Sequence, residues 1–153
     1  VGVGFALPWI NAYAQSGEVW APGYGLFLGF VALSMASALA SGLSDEMSDV
    51  KGGKTTFVTI WGNTRARRSC ELLVAVALGL WFLVSFFGAV PEWVVAVAAI
   101  LTGIYFLRVR AASDHAVTNE FEAQKLYKLH LHHTIWYGSL LLAAGLLLNL
   151  LLI

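Results

Sequence analysis

The composition of this 153-residue chain excludes an ordinary soluble domain. Hydrophobic residues make up 59% of it and charged residues only 12%, whereas soluble globular domains carry about 25% charged residues. Nine basic and nine acidic residues cancel, so the basic surplus that nucleic-acid binding requires is absent and we expect no nucleic-acid partner. The lone Cys70 excludes a disulfide framework and a cysteine-rich metal site. The composition is typical of a polytopic membrane protein.

Apolar segments divide the chain into five predicted helices. A short uncharged segment, residues 1–14, is followed by four long ones at residues 21–43, 70–89, 93–107 and 134–153. Each long segment can cross a hydrocarbon core about 30 Å thick, the third with help from flanking residues. The predicted fold class is therefore an all-α, polytopic transmembrane helix bundle that spans residues 1–153 as one unit.

The basic residues predict which side of the membrane each connection faces. All nine lie in two long connections, residues 44–69 and 108–133. The positive-inside rule places such connections in the cytoplasm. We therefore expect both to face the cytoplasm, with the C-terminus on the opposite side. We assign Arg65, Arg67 and Arg68 to this topology and to contacts with lipid headgroups.

One polar stretch, directly after the second apolar segment, can carry chemistry. Asp45 and Asp49 stand four residues apart, so they share one face if the helix continues by another turn. The two carboxylates repel each other there, and Mg²⁺ suits them because it takes one or two carboxylates together with substrate phosphates. Lys54 can offer a positive charge to a phosphate, helped by backbone N–H groups at Gly52 and Gly53. A solvated helix end explains the same cluster, and the spacing alone leaves both explanations open.

This stretch resembles the second aspartate-rich motif of the UbiA superfamily of intramembrane prenyltransferases. The family pattern is Asp-x-x-x-Asp, then a Gly-(Lys/Arg)-x-Thr element, then a short apolar run that ends in Gly. The matching residues here are Asp45, Asp49, Gly53, Lys54, Thr56 and Gly62. The family places this motif on a cytoplasmic loop between its sixth and seventh helices, and three helices follow it, as predicted here. The first segment resembles the family's fifth helix.

The resemblance implies a reaction and a set of site residues. Family members transfer an isoprenyl group from its diphosphate to a lipophilic acceptor within the bilayer, such as a quinone ring or a tetrapyrrole precursor. By the resemblance, Asp45 and Asp49 are catalytic residues that bind Mg²⁺. Lys54 and Thr56 would contact the substrate diphosphate, although the Thr56 hydroxyl could instead cap the local turn. The implied cofactor is Mg²⁺, and the implied partners are isoprenyl diphosphate, the acceptor and the lipid bilayer.

The chain departs from the family pattern in two respects. The family's first aspartate-rich motif, of the type Asn-Asp-x-x-Asp, does not occur in these 153 residues. The family has about nine helices, against the five predicted here. We therefore expect the chain to correspond to the family's C-terminal half, and to be inactive without an N-terminal half or partner subunits. The alternative is a non-catalytic, UbiA-like structural subunit of a larger membrane complex.

Two further observations concern residues outside the predicted site. His130 and His133 have the i,i+3 spacing of a metal or pigment ligand pair. Hydrogen bonding at the membrane interface is the stronger explanation for them and for His132. Glu46 falls on another face of the helix than the two aspartates, so we leave it out of the predicted site.

Overall fold

The computed structural model describes residues 21–87, 91–112 and 121–152, and the structural statements below concern these residues. The predicted first helix, residues 1–14, lies outside them. The elements in chain order are α1 (Ala21–Lys51), α2 (Phe57–Trp61), α3 (Asn63–Phe86), α4 (Glu92–Ala112) and α5 (Phe121–Leu152). Every element in the described ranges is a helix, which confirms the predicted all-α fold class.

The helices extend beyond the apolar segments that predicted them. α1 continues through the acidic stretch to Lys51, and α3 already begins at Asn63, so most of the connection predicted over residues 44–69 is helical. The connection predicted over residues 108–133 is likewise shortened by α5, which begins at Phe121. Helices therefore extend into both predicted connections, whose position relative to the membrane stays a prediction. The physical reason is that a helix satisfies its own backbone hydrogen bonds and continues past an apolar segment until a glycine or another cap ends it.

The four long helices form a closed ring of neighbours. α1 packs against α3, α3 against α4, α4 against α5, and α5 returns to α1, while the short α2 packs against α1 and α3. Small side chains let α1 and α3 approach closely, as shown by the Cys70 Sγ atom, which lies 3.5 Å from the carbonyl oxygen of Ala36. Close approach of this kind maximises van der Waals packing, which is the main attraction between helices in a membrane.

The outer surface of the bundle is apolar. Large exposed hydrophobic side chains occur on all four long helices, among them Leu28, Phe82, Ile100 and Leu140. Within the described residues, Tyr24–Lys51 and Asn63–Phe86 are long and apolar enough to cross a membrane. An apolar exterior is unfavourable in water and favourable against lipid chains, so both observations agree with a helical membrane bundle. The crossings predicted over residues 93–107 and 134–153 stay predictions.

One close helix contact depends on a glycine. Gly29 on α1 is buried against the indole of Trp81 on α3, and Trp81 is itself fully buried. A Cβ atom added at Gly29 would overlap the Nε1 and Cδ1 atoms of that indole. Gly79, on the exposed side of α3, has no atom within 4 Å of the corresponding Cβ position. The two glycines thus differ in the space available and not in their helical backbone.

We expect Gly29→Ala to destabilise the bundle by about 1–3 kcal/mol, because a buried indole must move to make room for the new methyl group. Gly79→Ala is the matched control and should be neutral or stabilising by up to about 1 kcal/mol, since alanine is the better helix former. The thermal midpoint of each purified variant in the same detergent measures both effects. A Gly29→Ala variant as stable as the parent protein would contradict the close contact.

Candidate functional site

The acidic helix α1 ends in a glycine turn that reverses the chain. Gly53 adopts a left-handed conformation with φ +65°. Its N–H donates to the carbonyl oxygen of Val50 at 3.2 Å, and the N–H of Lys54 donates to that of Asp49 at 2.9 Å. This pair of bonds is the Schellman motif, in which a left-handed residue after the helix satisfies its last carbonyl groups. Glycine suits this position because it adopts positive φ without steric cost.

The same turn brings the Lys54 side chain onto a predicted metal ligand. The Nζ atom of Lys54 lies 3.3 Å from Oδ1 of Asp49. The Asp49 side chain is 9% exposed and that of Lys54 is 71% exposed. The carboxylate is therefore held inside the bundle, whereas the ammonium group reaches it from solvent and can exchange one anionic partner for another. The structure thus brings Asp49 and Lys54 together, five residues apart in sequence.

Asp45 lies one helical turn before Asp49 and is exposed. The hydroxyl of Ser44 lies 3.2 Å from Oδ1 of Asp45, and Nζ of Lys128 on α5 donates to the same hydroxyl at 3.0 Å. Lys128 is therefore a second lysine near residues 45–49 of α1, which we call the acidic turn. Its helix, α5, begins only at Phe121. Sequence spacing did not connect this lysine with the aspartates.

Thr56 is placed as the N-cap of α2. Its hydroxyl accepts a hydrogen bond from the N–H of Thr59 at 3.3 Å, and the Thr59 hydroxyl accepts one from the N–H of Thr56 at 2.8 Å. This reciprocal arrangement is a capping box. The turn-capping explanation of Thr56 therefore has a structural basis, and its diphosphate contact stays a prediction. Gly62, with φ +79°, then separates α2 from α3.

Glu46 lies at the centre of a polar contact that sequence analysis missed. Its Oε2 atom accepts hydrogen bonds from Nδ2 of Asn63 on α3, at 3.3 Å, and from Nε2 of Gln124 on α5, at 3.5 Å. Asn63 and Gln124 are both buried. One carboxylate therefore joins α1, α3 and α5 directly beside the two aspartates. As predicted, Glu46 lies on another face of α1 than the aspartates. Through that face it binds Asn63 on α3 and Gln124 on α5.

Buried polar groups continue this contact into the bundle. The Nε atom of Arg67 donates to Oδ1 of Asn63 at 2.9 Å, and its Cζ atom lies 5.9 Å from the centre of the Tyr127 ring. The Tyr127 hydroxyl lies 3.4 Å from both the Arg67 carbonyl oxygen and Oε1 of Glu71. Burial, and secondarily the Glu71 carboxylate, raise the pKa of Tyr127 above its ordinary value, so the phenol stays a donor. Arg67 is buried, which corrects its assignment to headgroup contacts.

A cleft of about 640 Å³ opens beside this network. It is lined by Glu46, Trp61, Gly62, Asn63, Thr64, Arg65 and Arg68. The guanidinium carbon of Arg65 lies 5.5 Å from the centre of the Trp61 ring, which orients that cation along the cleft wall. None of the four residues predicted for the site lines this cleft. It adjoins the acidic turn through Glu46.

The donor atoms at the end of α1 suit a hard cation. Asp45 and Asp49 offer carboxylate oxygens, which are the ligands that Mg²⁺ prefers. Within the described part of the chain, no three His, Cys, Asp or Glu side chains cluster closely enough to hold a metal ion. Two carboxylates alone leave an octahedral ion incomplete, so further oxygens would have to come from phosphate, water or another protein segment. The residues present therefore fit Mg²⁺ as half of a site.

We expect Asn63→Ala to destabilise the protein by about 1–3 kcal/mol, because it removes a donor to Glu46 and an acceptor of Arg67 within a buried network. Thr64→Ala, at the exposed neighbouring position, is the control and should change stability by less than about 0.5 kcal/mol. Thermal unfolding in detergent compares the two. Equal stability of the variants would show that the network does not hold α1 against α3.

Comparisons with known proteins identify the family of the chain. The model of the UbiA prenyltransferase family matches residues 1–131, which include all of α1, α2, α3 and α4. Searches of curated proteins and of solved structures gave no match. The family consists of membrane-integral enzymes that transfer prenyl groups and generally use Mg²⁺ held by aspartate motifs. Because the match covers most of the sequence, the chain belongs to the UbiA prenyltransferase family.

Proposed function

We propose that this chain supplies the second diphosphate- and Mg²⁺-binding motif of an enzyme that transfers an isoprenyl group to a lipophilic acceptor within the membrane. The observation that carries the proposal is the geometry at the end of α1. A buried carboxylate, Asp49, is paired with an exposed ammonium group, Lys54, one turn away from a second carboxylate, Asp45. Two carboxylates can bind the metal ion and one ammonium group can bind a phosphate oxygen, so together these groups suit a metal–diphosphate complex.

The roles of the individual residues follow from their positions. Asp45 and Asp49 would hold Mg²⁺, which when bound neutralises the diphosphate as it leaves the allylic carbon. Lys54 would leave Asp49 for a phosphate oxygen, because its side chain is largely exposed and an ion pair with an exposed partner is weak. Glu46, held by Asn63 and Gln124, keeps the last turns of α1 from rotating. Pre-organised charges of this kind stabilise the separating anion without further rearrangement.

The membrane topology supports a site that faces the cytoplasm. All nine basic residues lie in the two predicted connections on the side of the bundle where α1 ends. A diphosphate would enter there from water, while its isoprenyl tail and the acceptor, a quinone ring or tetrapyrrole precursor, would lie among the apolar helices. The first aspartate-rich motif would come from an N-terminal half or a partner subunit. A structural subunit without catalysis is the competing function.

Replacing either aspartate by asparagine, Asp45→Asn or Asp49→Asn, should lower isoprenyl transfer by on the order of 10²–10³-fold, because a neutral amide neither balances the metal charge nor supports the leaving diphosphate. The full-length protein, reconstituted in liposomes with labelled isoprenyl diphosphates and a lipid extract of the native membrane as acceptor source, allows the measurement. Glu92→Gln, an exposed acid at the start of α4, is the control and should keep full activity.

Full transfer by the Asp45→Asn, Asp49→Asn double variant would refute the proposed function. A protein that transfers no isoprenyl group with any diphosphate, and that purifies from its membrane with a partner of constant stoichiometry, would instead establish the structural subunit.

Replacing Lys54 by methionine should raise the KM for isoprenyl diphosphate by about tenfold or more, because a hydrogen bond to a charged group contributes about 1.5–3 kcal/mol. Lys51→Met removes an exposed lysine from the last turn of the same helix and should change this KM little. Initial rates at saturating acceptor give both values. An equal effect of the two substitutions would show that only the local positive charge matters, and not the contact made by Lys54.

A further inference from the structure

Three polar contacts join α5 to α1 in a regular order. Their α5 members stand four residues apart and therefore share one helix face. The contacts are Gln124 Nε2 to Glu46 Oε2 at 3.5 Å, Lys128 Nζ to Ser44 Oγ at 3.0 Å, and His132 Nε2 with Ser37 Oγ at 2.9 Å. As the residue number rises on α5 it falls on α1, so the helices run antiparallel along this line. We call these six residues the polar seam.

The seam runs from the acidic turn into the apolar part of the bundle. Ser37 stands eight residues before Asp45 on α1, a distance of about 12 Å along a helix that rises about 1.5 Å per residue. It lies within the uncharged segment 21–43, at a depth where polar side chains are costly. The His132–Ser37 pair is therefore the innermost polar contact of the seam, on the membrane side of the aspartates.

The imidazole of His132 has one nitrogen engaged and one available. Its Nε2 atom lies 2.9 Å from the hydroxyl oxygen of Ser37 and 3.5 Å from the Ser37 carbonyl oxygen. In the described residues, nothing forms a hydrogen bond with Nδ1. Both side chains are half-buried, so each keeps part of its surface accessible. Nδ1 can accept or donate a hydrogen bond, depending on which nitrogen carries the proton.

The other two histidines of this stretch do not share that position. His130 and His133 are both exposed, and His133 packs edge-on against Tyr137 with the ring centres 6.0 Å apart. The two histidines with i,i+3 spacing, His130 and His133, therefore lie at the surface of the bundle. His132, between them in sequence, is the histidine that faces α1.

We propose that Nδ1 of His132 binds the hydroxyl or carboxylate oxygen of an aromatic acceptor, with Ser37 as the positioning residue that fixes the ring. This inference rests on the proposed function, because that function places the diphosphate at Asp45 and Asp49. The acceptor carbon must come within about 3–3.5 Å of the isoprenyl carbon beside the diphosphate. An aromatic acceptor approaching from the bilayer then lies on the membrane side of the aspartates, and its polar substituent reaches the depth of His132.

Equilibrium binding of three aromatic probes tests this assignment without any transfer reaction. 1-Naphthol carries a hydroxyl, 1-naphthoate carries a carboxylate, and naphthalene carries neither. Each is dialysed against the full-length protein in lipid nanodiscs, with empty nanodiscs subtracted. His132→Ala should weaken the binding of naphthol, naphthoate or both by about tenfold, the effect of one lost hydrogen bond, and leave naphthalene unchanged. A loss of naphthoate binding shows that Nδ1 donates, because an ionised carboxylate can only accept a hydrogen bond.

Matched variants distinguish the loss of one hydrogen bond from a change in the shape of the binding site. His130→Ala, the exposed neighbour, should leave all three affinities unchanged, and Ser37→Ala should weaken the polar probes by about threefold because the ring loses its main partner. His132→Asn serves as a second variant if His132→Ala does not fold. The proposal is overturned if the polar probes bind the unaltered protein no better than naphthalene, if His132 variants leave them unchanged, or if naphthalene weakens equally.

The outcome is separable from that of the proposed function. Binding of the probes needs neither Mg²⁺ nor isoprenyl diphosphate, whereas the function is tested by transfer in the aspartate variants. If the protein binds naphthol through His132 but transfers no isoprenyl group, the acceptor contact is supported and the proposed reaction is refuted.

Discussion

The structure depends on how the charged end of α1 is held. An acidic helix end repels itself and tends to fray, because neighbouring carboxylates are unfavourable and the last carbonyl groups lack partners. Here the Gly53 turn satisfies those carbonyls and returns Lys54 to Asp49. Glu46, on another face, binds Asn63 and Gln124 on two neighbouring helices. Local capping and tertiary hydrogen bonds together keep the carboxylates in place.

This arrangement divides the acidic residues by role. The carboxylate of Glu46 is used within the protein, to hold three helices, while Asp45 remains exposed to solvent. Asp49 is buried, and its ion-pair partner Lys54 has an exposed side chain. A ligand that brings its own positive metal and negative phosphates can replace such an ion pair without leaving a buried charge uncompensated. Thr56 caps α2, and its contact with the diphosphate stays a prediction.

The polar seam continues along α1 from Glu46 to Ser37. At its outer end the seam stabilises the acidic turn through Gln124 and Lys128, and at its inner end it presents a histidine in apolar surroundings. The sequence contained a signal for it, since Gln124, Lys128 and His132 recur every four residues. Its partners on α1 lie between 78 and 95 residues away, so no local pattern links the two sides. The i,i+3 spacing joins His130 and His133, which are both exposed, and does not include His132.

The sequence by itself determined the all-helical membrane class and placed two aspartates on one face, because hydrophobicity and helical periodicity are local properties that any short window displays. The sequence also showed the Gly-Lys-x-Thr element of the turn, because turn and cap residues act within a few positions of each other. Only the tertiary structure decided that α1 runs unbroken to Lys51, that Arg67 is buried, and that His132 meets Ser37. Those outcomes depend on which helices become neighbours, and that choice follows from the packing of the whole bundle.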